Sequence, residues 1–344
     1  MTFASSLLAS LLQRLNAGRE WFNSRAGQRV KMVASVVMSA AIIGLLVRAI
    51  VDVGWDTLIA VTPALPLYWL VFAAFYFFHP LMDWQIFRHW WRLGWRTLSM
   101  FFRRRVMNEA LFSYAGDAFM MAWAATRFNI AFDPEAPAAP KLGRGDGPGS
   151  HAAEAPIAAI KDVAIISGLA GNLFTLLMLI LAIVLGGDTI LNSDVDPTTI
   201  RRMIIGFALL IGLSLTIVFN RNRVLTLTVA ANMRTFWLHL VRVSTMHFLL
   251  VATWFVALPA IGVGTWLVLG ALRLVIGRMP VPNKELLFAA LAVSLTGDAS
   301  LEVAALMASQ GVAYLAAHGL SWLMAIVIDQ TDPDKHPVTP QGNP

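Results

Sequence analysis

Apolar residues in this chain gather into long runs, and its charged residues gather into the loops between them. A run of about twenty apolar residues wound as a helix crosses the ~30 Å of hydrocarbon in a bilayer. Runs at about 33–50, 65–80, 163–185, 203–219, 236–258, 263–277 and 301–328 predict seven full spans. Two further apolar pieces are too short or too interrupted to cross alone. Within residues 106–127 the pattern is broken by Asn108, Glu109, Asp117 and Arg127, and residues 284–297 are flanked by Lys284, Glu285 and Asp298. Polar backbone at membrane depth survives only where protein or water covers it, so these pieces predict re-entrant or partial helices facing inward. The fold class expected is an all-α integral membrane protein, a polytopic helical bundle of about seven full spans plus two short re-entrant or partial helices.

Loop charge orients the bundle. Arg14, Arg19, Arg25, Arg29 and Lys31 precede the first run, the following loop carries Asp52 and Asp56 without a base, and bases return at Trp84–Arg105. Later loops alternate the same way, with Asp188, Asp194 and Asp196 on one side and Arg221, Arg223 and Arg234 on the other. Positive loops stay inside, so the N-terminus is expected in the cytoplasm and the protein in the cytoplasmic (inner) membrane. Residues 1–31 read as a cytoplasmic interfacial segment, with Leu7, Leu8, Leu11, Leu12 and Leu15 on one helical face, and lack the basic start and cleavage site of a signal peptide. Residues 32–328 form the transmembrane domain, interrupted at 133–156 by a flexible cytoplasmic loop rich in Pro, Gly and Ala, and residues 329–344 read as a disordered tail.

Composition narrows the chemistry. Hydrophobic residues make up 58% of the chain against 13% charged, and the net charge of +6 lies in loops between spans, where it meets anionic lipid rather than nucleic acid. Cysteine is absent, which excludes disulfides, thiolate metal sites and a cysteine nucleophile. Gly143, Gly145, Gly147 and Gly149 lack the Gly-Lys-Ser/Thr ending of a phosphate-binding loop, and no dinucleotide fingerprint, nucleophile elbow or zincin motif is present. No catalytic residue, metal ligand or cofactor is assigned, and the chain is not expected to be an enzyme.

The tract WQIFRHWWRLGWRTLSMFFRRR places Arg88, Arg92 and Arg96 at i, i+4 spacing among Trp rings, which favour the headgroup layer. With Arg103, Arg104 and Arg105 these are the expected contacts to anionic lipid. Charge at the bilayer centre costs ~2.5–3.5 kcal/mol per residue, so each embedded ionisable group requires a partner, water or a function. Asn232, Thr235, His239 and Arg242 fall within an arc of roughly 80° at ~100° per residue, a polar stripe suited to a cavity wall or to the interface. Asp117 and Asp162 are the acids placed to meet such bases, either functionally or as structural ion pairs. Gln310, Tyr314 and His318 share a face of the last helix, as cavity lining or as helix contacts. Ser113, Gly116, Asp117 and Ala118 recur in order and spacing as Ser294, Gly297, Asp298 and Ala299, an echo compatible with a two-fold internal repeat.

These segments resemble the lysylphosphatidylglycerol synthase transmembrane family, a flippase-like membrane domain also found as a stand-alone protein. The carriers are DWQIFRHWW after the second run, SYAGDAFMMAWAATR, AAIKDVAIISGLAGN and RMPVPNKELLFAALAV. Gly116 and Asp117 match the family's Gly-acid pair, although Tyr114 stands where an Arg is usual. Lys161 and Asp162 occupy the place of a Glu-Arg pair with the charge order reversed. Pro280, Pro282 and Glu285 match a Pro-x-Pro element whose glycine-rich continuation is replaced by Asn283 and Lys284. The resemblance implies a hydrophilic cavity through which a lipid headgroup passes, lined by Asp117, Asp162, His239, Arg242, Glu285 and Gln310, and lipid handling or translocation without an aminoacyl-transferase domain. Membrane phospholipids are the expected partners, and a homo-oligomer or a membrane protein partner is compatible with them. A membrane-embedded enzyme on a lipid substrate and a noncatalytic assembly partner stay open beside that reading.

Overall fold

A computed structural model describes residues 62–91, 93–110, 115–127, 156–191, 197–225, 228–278 and 284–330, with isolated positions at 33, 37 and 44. The elements run α1 Pro66–Trp91, α2 Leu98–Ala110, α3 Ala115–Arg127, α4 Pro156–Leu191, α5 Pro197–Phe219, the single turn α6 Arg221–Val224, α7 Val229–Ala257, α8 Val263–Arg278, α9 Lys284–Leu295 and α10 Ser300–Gln330. Short 3-10 turns at Trp95–Thr97, Pro259–Ile261 and Gly297–Ala299 link some of them, and the described residues contain no strand. Helices satisfy their own backbone donors and acceptors, which hydrocarbon cannot do for them.

Among the described residues, four stretches are long and apolar enough to cross a membrane: Pro66–Arg88, Ile160–Leu185, Val229–Ala257 and Gly297–Gln330. This is the architecture of a helical membrane protein. Of the seven runs expected to span, that at 33–50 lies outside the described residues except for positions 33, 37 and 44. Those at 203–219 and 263–277 are helical but shorter, Ile204–Phe219 being a short apolar helix and α8 having 16 residues, or roughly 24 Å. Residues 106–127 fall partly in α2 and partly in α3, two 13-residue helices each roughly 20 Å long; positions 111–114 lie outside the described residues.

The outward faces are as apolar as the inner ones. On α4, Ile166, Ala170 and Phe174 are buried, while Leu173, Leu177, Ile180 and Val184 form an exposed stripe at helical spacing. On α5, Ile204, Leu209, Leu213 and Phe219 are exposed in the same manner. In water these surfaces would aggregate; in hydrocarbon they need no cover.

The chain divides into two compact units. The first takes its described residues from 80–160 and 315–330, the second from 62–79 and 161–314, so α1 and α10 each contribute to both. In the first, α2 and α3 pack closely because Gly116 lies against the backbone of Arg104. A Cβ at Gly116 would come within 2.0 Å of the Arg104 carbonyl oxygen. The Gly116 N–H donates to Asn108 Oδ1 at 2.7 Å, which closes the start of α3. Val106 and Trp322 pack together there, with Met107, Ala110 and Ile326 around them. In the second unit α8 packs on α5, α7 and α9, and Ala182, Val268 and Ala271 bury one another.

The suggested internal repeat is not matched by backbone. Gly116 and Asp117 lie inside helix α3, whereas Gly297 and Asp298 form a 3-10 turn with Gly297 at φ 52°, in the left-handed region that favours glycine. Ser113 lies outside the described residues.

Because a methyl group at position 116 meets backbone rather than a movable side-chain end, Gly116→Ala should separate α2 from α3. We expect a loss of about 1–3 kcal/mol, read as a lowered thermal midpoint of the detergent-solubilised protein. An unchanged midpoint would show that the hairpin packs otherwise.

Candidate functional site

Polar groups are concentrated in two places, one in each unit. In the first, the arginine triplet of α2 sends its guanidinium groups in three directions, since successive residues diverge by ~100°. Arg103 Nη1 pairs with Asp329 Oδ2 at 2.5 Å, and the guanidinium lies 5.7 Å from the Trp322 ring centroid. Arg104 donates from Nη1 to Asp83 Oδ2 at 2.6 Å and from Nε to Asp117 Oδ1 at 2.7 Å. Arg105 Nε lies 3.1 Å from Glu109 Oε1, and Glu109 Oε2 lies 3.5 Å from His318 Nε2. The helix α2 is thereby tied to α1, α3 and α10 by charge.

Asp83 is 3% exposed, so Arg104 bridges a buried carboxylate and a more open one. Burial by itself would push the Arg104 guanidinium down; Asp83 and Asp117 outweigh it and hold the group above its ordinary value. Arg104 is therefore a permanent charge.

Arg103, Arg104 and Arg105, expected as contacts to anionic lipid, are paired with acids of the protein. Arg88 and Arg96, expected in the same role, lie beside Trp rings. Arg88 is exposed over the Trp84 ring at 4.9 Å, and Arg96 lies over the exposed Trp95 ring at 5.7 Å. Arg92 lies outside the described residues. Asp83 was not singled out in sequence, although it is the one acid between Asp56 and Glu109 and stands at the head of a strongly basic tract.

In the second unit the polar stripe of α7 turns inward. Asn232, Thr235 and His239 are buried at 7%, 1% and 3% exposure, and Arg242 Nη2 donates to Ser167 Oγ of α4 at 2.9 Å. One turn further along α4, the Arg278 guanidinium occupies the space that a side chain at Gly171 would fill. Two guanidinium groups thus approach consecutive turns of one helix. Asp162, fully buried, sits beside Lys161 with Oδ1 3.1 Å from Nζ, and the Lys161 amine also donates to the Val224 carbonyl at 2.5 Å. Ser167 and Arg278 were not anticipated, since a serine and a helix-end arginine carry no signal until the fold brings them to α7 and α4.

Gln310 is not in a wet site. Its Oε1 accepts from the Trp254 indole at 2.7 Å, and Trp254 is stacked on Phe288 with ring centroids 5.6 Å apart. The amide ties α7 to α10 in an aromatic contact, the other role its spacing allowed. Tyr314 likewise packs edge-on against Phe72 and Phe75. The Glu285 side chain lies outside the described residues.

A cavity of about 420 Å³ opens among α4, α5 and α7 of the second unit. Its wall is apolar, with Leu173, Leu176, Ile211, Leu215 and Phe236, and its polar edge includes Asn172, Ser214, Asn232 and Arg221. Asn172 Nδ2 donates to Ser214 Oγ at 2.8 Å, and Ser214 Oγ donates to the Leu210 carbonyl, so the α4–α5 contact is hydrogen-bonded at depth. The volume lies within the ~300–1,000 Å³ of small-molecule sites. Among the described residues no three His, Asp or Glu side chains gather as metal ligands.

No protein-family model matches the chain, and no curated protein and no solved structure matches it either. The site must therefore be read from its own chemistry.

Replacing Arg104 by Met leaves Asp83 buried without its counter-charge, and a broken buried pair costs about 3–5 kcal/mol. Asp83→Asn should lower the thermal midpoint more than Asp117→Asn, because Asp117 is partly exposed and can be rehydrated. Equal small effects from all three would show that the triad contributes only as a surface pair.

Proposed function

We propose that this is an integral protein of the bacterial inner membrane, with a cytoplasmic N-terminus, that handles or translocates a phospholipid or lipid-linked headgroup. It works without catalysis, cofactor or aminoacyl transfer. The observation that carries this reading is Arg242. It lies 13 residues from the start and 15 from the end of the span Val229–Ala257, about 20 Å from either end. A charge at that depth is expensive and marks a pathway or a partner. One of its hydrogen bonds goes to the Ser167 hydroxyl, with a second arginine against the next turn of the same helix. Paired guanidinium groups suit a phosphate, which accepts several charge-assisted hydrogen bonds at once.

The apolar cavity supports the same reading, since headgroup passage requires that the tails stay in hydrocarbon or its equivalent. The sequence resemblance to a flippase-like membrane family points the same way. Asp117 belongs to the first unit, where it holds Arg104. Its part in lipid handling is to neutralise that arginine, so that α2 and α3 stay closed on each other.

The test is leaflet exchange of a fluorescent phospholipid in liposomes, measured by dithionite quenching. The protein should accelerate exchange, and Arg242→Ala should slow it by about tenfold or more, the worth of one lost charge-assisted hydrogen bond. Arg242→Lys should retain part of the rate. Rates equal to those of protein-free vesicles would refute translocation, and a chemically altered lipid product would replace it with catalysis.

A further inference from the structure

The cavity of the second unit has a direction. Along α4 its wall runs from Ile166 to Leu176, ten residues or roughly 15 Å, which is half of a ~30 Å hydrocarbon core. One leaflet's acyl chain needs that depth. The Asn172–Ser214 hydrogen bond fixes the register of α4 against α5 in the middle of this wall. From there α4 runs back to Lys161, and α5 runs forward into α6, where Arg221 and Asn222 line the opening. The hydrogen bond from Lys161 to Val224 shows that these two ends meet. Hence the wall is mostly apolar over its depth, with the hydrogen-bonded Asn172–Ser214 pair partway along it, and its one charged lining residue among those described, Arg221, stands at one end beside Asn222.

We infer that this cavity is a specific site for one acyl chain of an anionic glycerophospholipid, with its phosphate held at the mouth by Arg221. The inference rests on the lipid-handling reading and gives that reading its substrate class. Arg221 is exposed at the rim and carries a planar fork matched to phosphate oxygens. Lys161 at the same end is paired with the buried Asp162 and donates to the Val224 carbonyl, so the charge offered to a headgroup is that of Arg221. Asn222 supplies an amide at the same rim, suited to ester or glycerol oxygens. A zwitterionic lipid would bring its own cation to this basic mouth and gain less. A soluble phosphate would leave the apolar wall empty. The occupant that uses both ends is an anionic lipid, and by the sign of its loop charges this mouth belongs to the cytoplasmic leaflet.

The site is separate from Arg242. On α4 the wall residues Ile166, Leu169 and Leu173 share one face, whereas Ser167 and Gly171, which meet Arg242 and Arg278, lie on another, ~100–140° away at ~100° per residue. A lipid held in the cavity therefore waits beside the arginine pair rather than on it.

Native mass spectrometry of the full chain in detergent tests the assignment, with dioleoyl phosphatidic acid and dioleoyl phosphatidylcholine added in equal amounts. One phosphatidic acid per chain should be retained in preference to phosphatidylcholine. Arg221→Gln should weaken that retention about tenfold. Leu173→Trp, at a half-exposed wall position, should abolish the one-to-one adduct without lowering the thermal midpoint. Equal retention of the two lipids, or retention indifferent to Leu173→Trp, overturns the site. Lipid retained as expected by a protein that fails to accelerate leaflet exchange would refute translocation and leave the site standing. Accelerated exchange that Arg221→Gln and Leu173→Trp leave unchanged, with no selective adduct, would do the reverse.

Discussion

In hydrocarbon a charge without a partner is the largest local error a fold can make, and the pairing of charges organises this protein. Apolar packing alone cannot place one span against another there, because lipid tails are as apolar as leucine and compete for every face. The triplet Arg103, Arg104 and Arg105 supplies what apolar packing lacks. Arg103 finds Asp329 of α10, and Arg104 finds Asp83 of α1 and Asp117 of α3; these acids set the position of α2 among its neighbours, while Arg105 pairs within α2 with Glu109. Exposed pairs would contribute ~0–1 kcal/mol each, too little to decide a register. Asp83 is buried, so its pair with Arg104 is costly to break, and a one-residue slip of α2 would break it.

The second unit mixes ion pairs with hydrogen bonds between helices. Arg242 donates to a hydroxyl, Lys161 pairs with Asp162 and donates to a backbone carbonyl, and Trp254 donates to an amide. Such contacts hold helices together with less energy than closed charge triads, and they exchange partners more readily. Among the described residues the apolar cavity also lies in this unit. On the proposed reading, a place where amphiphiles enter and leave has to be held by contacts that a ligand can compete with.

Much of this was legible from periodicity, and the remainder was not for a definite reason. Apolar runs located α8, α9 and α10 closely, while α1, α4, α5 and α7 extend past their apolar runs into polar sequence, and the arc of Asn232, Thr235, His239 and Arg242 identified the buried face of α7. Periodicity reports which way a residue points but not what stands opposite. Arg104 lies 21 residues from Asp83 and 13 from Asp117, and nothing local announces that either will meet it. The basic tract consequently read as a lipid contact along its whole length, when Arg103, Arg104 and Arg105 are paired with acids of the protein and Arg88 and Arg96 lie beside Trp rings. Gln310 was ambiguous for the same reason, because a polar residue on a helix face suits a wet cavity or a tryptophan equally until the tryptophan is seen. The packing of α3 against α2 was hidden because Asn108, Glu109 and Asp117 read as interruptions of one apolar segment rather than as contacts between two helices.

The separation of Arg242 from the cavity bears on how a lipid could be moved. If the phosphate bound at Arg221 and the phosphate bound at Arg242 occupied one continuous slot, a single deep site would hold the headgroup too tightly to release it to either side. Two weaker positions on different faces of α4 avoid that, since transfer between them exchanges one guanidinium for another at little net cost. Conduction through any membrane path needs sites favourable enough to enter and weak enough to leave. On the proposed reading, an arginine at the rim, guanidinium groups on another face of α4 and an apolar wall about one leaflet long would meet that requirement without any chemical step, which is why translocation rather than catalysis is what we propose for this unit.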